Sequence, residues 1–322
     1  MLVVKDLVKT FPVRSGFGLS GPAQTVKALD GISFEVARGE ALGLVGESGC
    51  GKSTSARTIL RLTEPDGGEA LIDGADLFQA TGPDLRRLRQ RLQIVFQDPY
   101  ASLNPRRRIG DTLAEPMQVH AIGTPAERAE RVKALLAEVG LPAEAVHKYP
   151  HEFSGGQRQR IGIARALSVG PELLFLDEPV SALDVSVQAQ VLVLLNRLRE
   201  TRNLASVFIS HDLGVVRYFC QRVAVMYLGR IVEMAPAEDL LDTPLHPYTQ
   251  ALRAATPTPD PAQKVTMIRL TGDPASPLNP PTGCHFHPRC PHASERCRSE
   301  VPVLQEVAPG RRVACHLMDA PQ

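Results

Sequence analysis

No apolar segment of this 322-residue chain approaches the ~20 residues needed to cross a bilayer. Neither sign of charge is in excess. The chain has 36 basic and 35 acidic residues, a formal net charge of +1, whereas a general nucleic-acid binder should carry a clear basic excess. Arg86, Arg87, Arg89 and Arg91 on one expected helix, and the run Arg106 to Arg108, read as solvated surface. The N-terminal Met-Leu-Val-Val-Lys-Asp has no secretory signal pattern. The expectation is a cytosolic protein that binds no nucleic acid and meets a membrane only through partners. The length suits one large domain plus an appendage.

Residues 41–45, Ala-Leu-Gly-Leu-Val, form a short apolar run that reads as a buried strand. The residues that follow, Gly46-Glu47-Ser48-Gly49-Cys50-Gly51-Lys52-Ser53-Thr54, fit G-x-x-x-x-G-K-[ST] in full. Glycines let such a loop curl so that successive N–H groups point at phosphate oxygens. A helix expected from about Lys52 to Leu62 adds its N-terminal dipole. Lys52 supplies a positive charge for the β and γ phosphates, and Ser53 offers a hydroxyl to Mg²⁺. That dipole should also lower the pKa of Cys50, although a small side chain that simply fits serves equally well there. Further on, Leu173-Leu-Phe-Leu-Asp-Glu178 reads as a second buried strand ending in two acids. Asp177 can hold Mg²⁺ through water, and Glu178 can act as general base on the attacking water.

Together with these, Phe153-Ser154-Gly155-Gly156-Gln157-Arg158-Gln159-Arg160 resembles the signature motif of the ATPase subunits of ABC transporters. Gln97, in Val95-Phe96-Gln97-Asp98-Pro99, looks like the family's Q-loop glutamine, which reaches Mg²⁺ and the attacking water. Ser181-Ala182-Leu183-Asp184 resembles its D-loop, and His211 its switch histidine, which contacts the γ phosphate. Phe11 matches the aromatic that stacks on adenine, although a Phe in a first strand also suits a core. The resemblance covers residues 1–322. It implies an α/β fold: a P-loop NTPase (RecA-like) core of ABC ATPase type, with a helical subdomain and a small Cys-rich C-terminal extension. The ATPase core is expected at 1–97 and 166–235, the helical subdomain at 98–165 and the extension at 236–322. Ala126 to Val139 and Gln157 to Leu167 read as helices, and Arg14 to Gln24 as an exposed loop.

The stretch Leu245-His246-Pro247-Tyr248-Thr249-Gln250-Ala251-Leu252 resembles the start of the C-terminal extension of oligopeptide and dipeptide transporter ATPases. Pro277 to Pro281 and Cys284 to Pro291 continue that match. Within the group the chain is most like the second of the two ATPase subunits, the dipeptide F-type. Cys284, Cys290, Cys297 and Cys315 are separated by gaps of five, six and seventeen residues. Disulfides are disfavoured in a reducing cytosol. Zn²⁺ would accept four thiolates, but its structural sites usually show a C-x₂₋₄-C pair that these spacings lack. A [4Fe–4S] cluster tolerates looser spacing, and the resemblance implies it in some members. His285, His287, His292 and His316 are possible substitute ligands, and Cys220 reads as core.

The resemblance further implies a head-to-tail dimer with a second ABC ATPase subunit, a heterodimer by the two-subunit pattern. Each signature loop then closes over the ATP of the other subunit. Two membrane permease subunits are implied, one of whose cytoplasmic helices would lie in a groove formed by Asp98 to Pro116. An extracytoplasmic binding protein acts indirectly. The expected function is ATP hydrolysis, with ATP and Mg²⁺ bound, to energise import of dipeptides or oligopeptides from the cytoplasmic face of the membrane. The alternatives are transport of another small substrate such as nickel, or a soluble ABC ATPase that transports nothing.

Overall fold

A computed structural model describes residues 1–13, 24–255 and 275–319 of the chain. The loop expected at Arg14 to Gln24 lies, up to residue 23, outside these residues. The chain divides into two compact units. One comprises Met1, Val36–Ala41 and Ile72–Ile209; the other comprises Leu2–Glu35, Leu42–Leu71 and Ser210–Gln322. The fold is α/β.

The first unit is built on three neighbouring parallel strands, Leu92–Val95, Leu173–Asp177 and Ala205–Ser210, with Val95 opposite Leu176 and Asp177 opposite Ile209. The central one is buried along its whole length, as a parallel strand covered on both faces should be. Leu173, Leu174, Phe175 and Leu176 each contribute on the order of 1.5–3 kcal/mol by leaving water. The helices expected between the strands form at Pro125–Glu138 and Gly155–Leu167. Thr124 starts the first of them through a capping box: its hydroxyl accepts from the Glu127 N–H, and the Glu127 carboxylate accepts from the Thr124 N–H at 2.6 Å. Glu138 at its far end accepts two hydrogen bonds from Arg202, at 2.7 and 2.6 Å. That arginine closes the 18-residue helix Val185–Arg202.

Arg91 departs from its expected role as solvated surface. It ends the helix Gly82–Arg91 and, with Arg38, binds both Glu172 and Asp73. The hydrogen bond from Arg91, with that from Arg38, holds the Glu172 carboxyl down to about 2. The residue that opens into the central strand is thereby pinned by two guanidinium groups.

The second unit carries the strand Ala41–Val45, which pairs in parallel with Arg222–Tyr227. Leu228 and Gly229 then turn the chain back with φ of 43° and 78°, the pair of positive values a two-residue hairpin needs. The returning strand Arg230–Pro236 pairs antiparallel with Arg222–Tyr227 and, on its other side, with Arg311–Val313. Gln305–Ala308 adds one further strand. The C-terminal segment thus continues the sheet that begins at Ala41. In the same unit Gln24–Val36, Leu2–Val13 and Gly67–Ile72 lie side by side in a second sheet.

The fully buried rings of Tyr227, Tyr248 and Phe286 lock the end of the hairpin strand to the tail, with centroids 4.7 to 5.5 Å apart. Such pairs add about 0.5–1.5 kcal/mol each beyond burial. Tyr248 lies in the helix Pro247–Ala254, whose N-terminus is fixed from below by Glu233. That fully buried carboxylate accepts from the N–H groups of Leu245 and His246, both at 2.9 Å. The His246 ring in turn accepts from the Tyr248 N–H at 3.0 Å and caps the helix. Burial holds this imidazole neutral, its pKa lowered from 6.5 to about 3.

The unfolded chain therefore takes up this proton first. The contribution is full above pH ~6.5 and is lost as pH falls toward 3, by at most about 1.4 kcal/mol per pH unit. In urea titrations between pH 7 and 5, His246→Asn, which can still cap, is expected to show a shallower loss of stability than the parent chain. Identical slopes would remove His246 as the source.

Candidate nucleotide site

The buried strand Ala41–Val45 delivers the chain into the loop, and the helix Lys52–Ile59 receives it. Gly46, Gly49 and Gly51 have φ of 151°, 78° and 109°. At Gly46 a Cβ would lie 2.2 Å from the Met226 carbonyl oxygen, and at Gly51 2.3 Å from that of Ala28. Neither backbone neighbour can yield, so both positions require glycine on conformation and on space. Lys52 is buried, and its ammonium donates to the Gly46 and Glu47 carbonyls at 2.8 and 2.9 Å. A positive charge is therefore held over the mouth of the loop by weak, neutral acceptors. A phosphate oxygen, as a charged acceptor, outcompetes them. The remaining loop residues, Ser48, Ser53 and Thr54, fall where the motif sets them, at the turn and in the first helical turn.

Two residues far along the chain hold this loop. The Tyr248 hydroxyl accepts from the Glu47 N–H at 2.9 Å. The Arg289 guanidinium makes three hydrogen bonds of 3.0 to 3.2 Å to the Glu47 carboxylate. Neither was singled out by motif reading as part of the site. Both nonetheless fall in stretches that mark the subfamily, Tyr248 in Leu245 to Leu252 and Arg289 in Cys284 to Pro291.

Cys50 corrects an expectation. It is 4% exposed, and burial pushes its thiol up, outweighing the pull of Lys52 in the other direction. The helix terminus does not make it a reactive thiolate. Cys220 is buried as expected. With iodoacetamide at pH 7.5, mass spectrometry is expected to find Cys50 modified at least tenfold more slowly than free N-acetylcysteine in the same mixture, consistent with the dominance of burial over dipole. Equal rates would contradict it.

In the first unit, Asp177 ends its strand nearly fully buried and Glu178 follows with φ of 45°, a left-handed conformation uncommon outside glycine. Such strain costs about 1–3 kcal/mol and is commonly found at functional positions. The Glu178 N–H donates to the Ile209 carbonyl at 3.0 Å, which fixes the turn. The Gln97 amide donates to the Glu178 carboxylate at 2.8 Å. The structure thus brings together two of the expected catalytic residues. Beyond Gln97, Asp98 accepts from the N–H groups of Tyr100 and Ala101, and the Arg158 guanidinium lies 3.8 Å from the Tyr100 ring centroid. Arg165 donates to the Ser102 carbonyl at 2.5 Å. Both arginines belong to the helix Gly155–Leu167, so the segment after Gln97 is tied to that helix.

Ser154 caps the same helix in a second capping box with Gln157, at 3.3 and 3.0 Å. Helix geometry gives the N–H groups of Gly155 and Gly156 no intrahelical acceptor. At Gly156 a Cβ would lie 2.3 Å from Val187, so glycine lets the two helices approach. Ser181, at the start of the expected D-loop, turns back onto the Glu178 carbonyl at 3.1 Å. His211 follows the strand Ala205–Ser210 and precedes Asp212, which caps the helix Leu213–Phe219. Phe11 is 38% exposed on its strand, with the Lys9 ammonium 5.4 Å from the ring centroid.

The tail cysteines do not fit a metal ion as they stand. Among the described residues, no group of three or more His, Cys, Asp or Glu side chains could hold one. The four thiols nonetheless influence one another. Burial, and then Cys284, Cys290 and Cys297, push Cys315 up to about 11. His316 is committed elsewhere, with one ring nitrogen 3.3 Å from Asp319 and the other 3.1 Å from the Glu300 carbonyl. His285 and His287 each engage a backbone carbonyl through Nδ1. The iron–sulfur expectation therefore has no geometric support here.

A glycine-lined phosphate loop between a parallel strand and a helix, in an α/β fold, defines a nucleotide-binding protein of the phosphate-loop class. Residues 29–181 match the ABC transporter family model, and residues 232–297 match that of the oligopeptide/dipeptide transporter C-terminal region. The chain is 51% identical to the oligopeptide transport ATP-binding protein AppF of Bacillus subtilis, over 98% of this chain and 97% of AppF. It is likewise 51% identical to the di/tripeptide transport ATP-binding protein DppF of Pseudomonas aeruginosa, with the same coverage. Among solved structures it resembles a dimeric, post-hydrolysis state of the ATP-binding cassette MJ0796 bound to ADP and Pi. That match has a TM-score of 0.64 and 28% identity, and covers 74% of this chain and 99% of that one. The chain belongs to the ABC transporter ATPase family and carries the C-terminal region of its oligopeptide/dipeptide group.

Proposed function

We propose that this chain is the ATP-hydrolysing subunit of an importer of dipeptides or oligopeptides. The observation that carries the reading is the phosphate loop with its buried Lys52, in a chain whose relatives are named for peptide transport. In this reading the loop N–H groups and Lys52 bind the β and γ phosphates, and Phe11 stacks on the adenine. Glu178 takes a proton from water as the water oxygen attacks the γ-phosphorus, and the bond to the bridging oxygen of ADP breaks. Gln97, already bonded to Glu178, orients that carboxylate, and His211 contacts the γ phosphate. Ser53, Asp177 and Gln97 are the residues that would hold Mg²⁺, which neutralises the developing charge. The acid and hydroxyl of this set suit a hard cation.

Ser154 to Gln157 serve the ATP of a second ATPase subunit, bound head to tail, whose own signature returns the service. The support is a helix N-terminus with unused N–H groups, together with the dimer reported for the cassette it resembles. We assign the core to 1–97 and 166–235, the helical subdomain to 98–165 and the extension to 236–322. The groove at Asp98 to Pro116 receives a permease, one of two, and the chain sits peripherally at the cytoplasmic membrane face. Among the described residues no helix is long and apolar enough to cross a membrane.

For Cys284, Cys290, Cys297 and Cys315 the proposed occupant is a [4Fe–4S] cluster, with Zn²⁺ the alternative, on the subfamily resemblance and the donor type alone; as placed, the four thiols do not converge on one ion. No step of the hydrolysis runs through it. Anaerobically purified protein is expected to absorb near 400 nm and to carry iron; colourless, iron-free protein from cells with intact cluster assembly rules it out.

Glu178→Gln is expected to keep ATP affinity within about twofold and to lower turnover by roughly 10²–10⁴, while Lys52→Ala weakens binding itself. Turnover close to normal in Glu178→Gln would refute the base. Co-purification with two hydrophobic permeases and peptide-stimulated turnover separates this reading from that of a soluble ABC ATPase or a nickel importer.

A further inference from the structure

We infer that Arg289 and Tyr248 are positioning residues for ATP binding: the C-terminal extension holds the phosphate loop in its nucleotide-ready form through Glu47. This inference rests on the ATP reading above. It starts from a plain asymmetry in the loop. Gly46 and Gly51 pack closely against the carbonyls of Met226 and Ala28, whereas Glu47 belongs to the arc of chain between them. A loop that must present its N–H groups inward needs that arc held as well, since a shift of about 1 Å is enough to spoil an anion cradle.

The extension supplies the holding groups at both ends of Glu47. Its backbone N–H donates to the Tyr248 hydroxyl at 2.9 Å. Its carboxylate takes the Arg289 guanidinium through both terminal nitrogens, at 3.0 to 3.2 Å. The Glu47 carbonyl meanwhile accepts from Lys52 at 2.9 Å. One residue therefore links the extension to the lysine that meets the phosphates. The Arg289–Glu47 pair also cancels an acidic charge beside an anion site. Left unpaired, Glu47 would repel a triphosphate.

The holding groups are themselves rigid. Arg289 is 8% exposed and its guanidinium carbon lies 6.0 Å from the Tyr227 ring centroid. Tyr248 is fixed by its ring partners Tyr227 and Phe286, and by the relay from Glu233 through His246. The His246-Pro247-Tyr248 stretch thus has a mechanical role. Glu233 and His246 start a helix at the one place from which Tyr248 reaches the loop. The chain Glu233, His246, Tyr248, Glu47, Lys52 runs unbroken within one compact unit.

The test uses the full chain, with ATP affinity and steady-state kinetics measured on the same preparations. Arg289→Ala is expected to raise the Kd and KM for ATP about tenfold while kcat at saturating ATP changes less than about twofold, the pattern of lost ground-state binding. Arg289→Lys, which keeps one charged contact, is expected to recover part of the affinity. Glu47→Gln, which loses the pairing but also the repelling charge, should lose less affinity than Arg289→Ala, and the double variant should be no worse than Arg289→Ala alone. Tyr248→Phe keeps the ring cluster and removes only the hydroxyl, so it decides the matter should Arg289→Ala fail to fold; a rise in Kd of about threefold or more is expected. Unchanged Kd in Tyr248→Phe and in folded Arg289→Ala, or fully additive effects of Arg289→Ala and Glu47→Gln, overturns the inference. Absence of ATP binding by the parent chain instead overturns the reading on which it rests.

Discussion

The second unit is organised around one backbone constraint: a loop that must turn through positive φ at Gly46, Gly49 and Gly51 while touching the backbone of two other segments. The Met226 carbonyl comes from the strand paired with Ala41–Val45, and the Ala28 carbonyl from the second sheet. Any side chain at Gly46 or Gly51 would push these apart. The loop therefore forms only where the two strands already stand in place, and its anion-binding curl is a consequence of their packing. Lys52 then becomes a buried charge satisfied by neutral carbonyls, a state that a phosphate improves.

The first unit solves a different problem, the placing of a carboxylate. Three parallel strands end together, so the residues after Val95, Leu176 and Phe208 are neighbours by register. That is why Gln97 and Glu178, 81 positions apart, meet at 2.8 Å. Glu178 carries a strained backbone to do so. The segment that follows Gln97 is held by Arg158 and Arg165 from the helix that Ser154 caps. A movement of that helix would therefore be passed to the segment after Gln97, and Gln97 itself is bonded to the Glu178 carboxylate.

Much of this was legible in the residues because the signals are local. The strand at 41–45, the helix capped by Thr124 and the loop glycines follow from short-range pattern and backbone sterics. Resemblance set Gln97 and Glu178 each at the attacking water; their direct pairing was not foreseen and has its physical basis in strand register. What escaped was long-range. Tyr248 lies 201 positions from Glu47 and Arg289 lies 242 positions away, and no spacing rule connects them. Cys50 was misjudged because a helix terminus is visible in sequence whereas 4% exposure is not, and burial outweighs the dipole. Arg91 likewise lay in an arginine-rich run that suggested solvent, yet it anchors Glu172. The subfamily resemblance implied a cluster at cysteines whose spacing allows one, but spacing does not determine where four thiols point.

The most direct measurement of the central claim is calorimetric titration of the purified chain with MgATP, alongside a Gly51→Ala variant shown to be folded by its circular dichroism. The parent chain is expected to bind one nucleotide per chain, and the variant, whose new Cβ would collide with the Ala28 carbonyl, to give no binding heat. Failure of the parent to bind, or undiminished binding by a folded Gly51→Ala chain, would contradict the assignment of this loop as the nucleotide site.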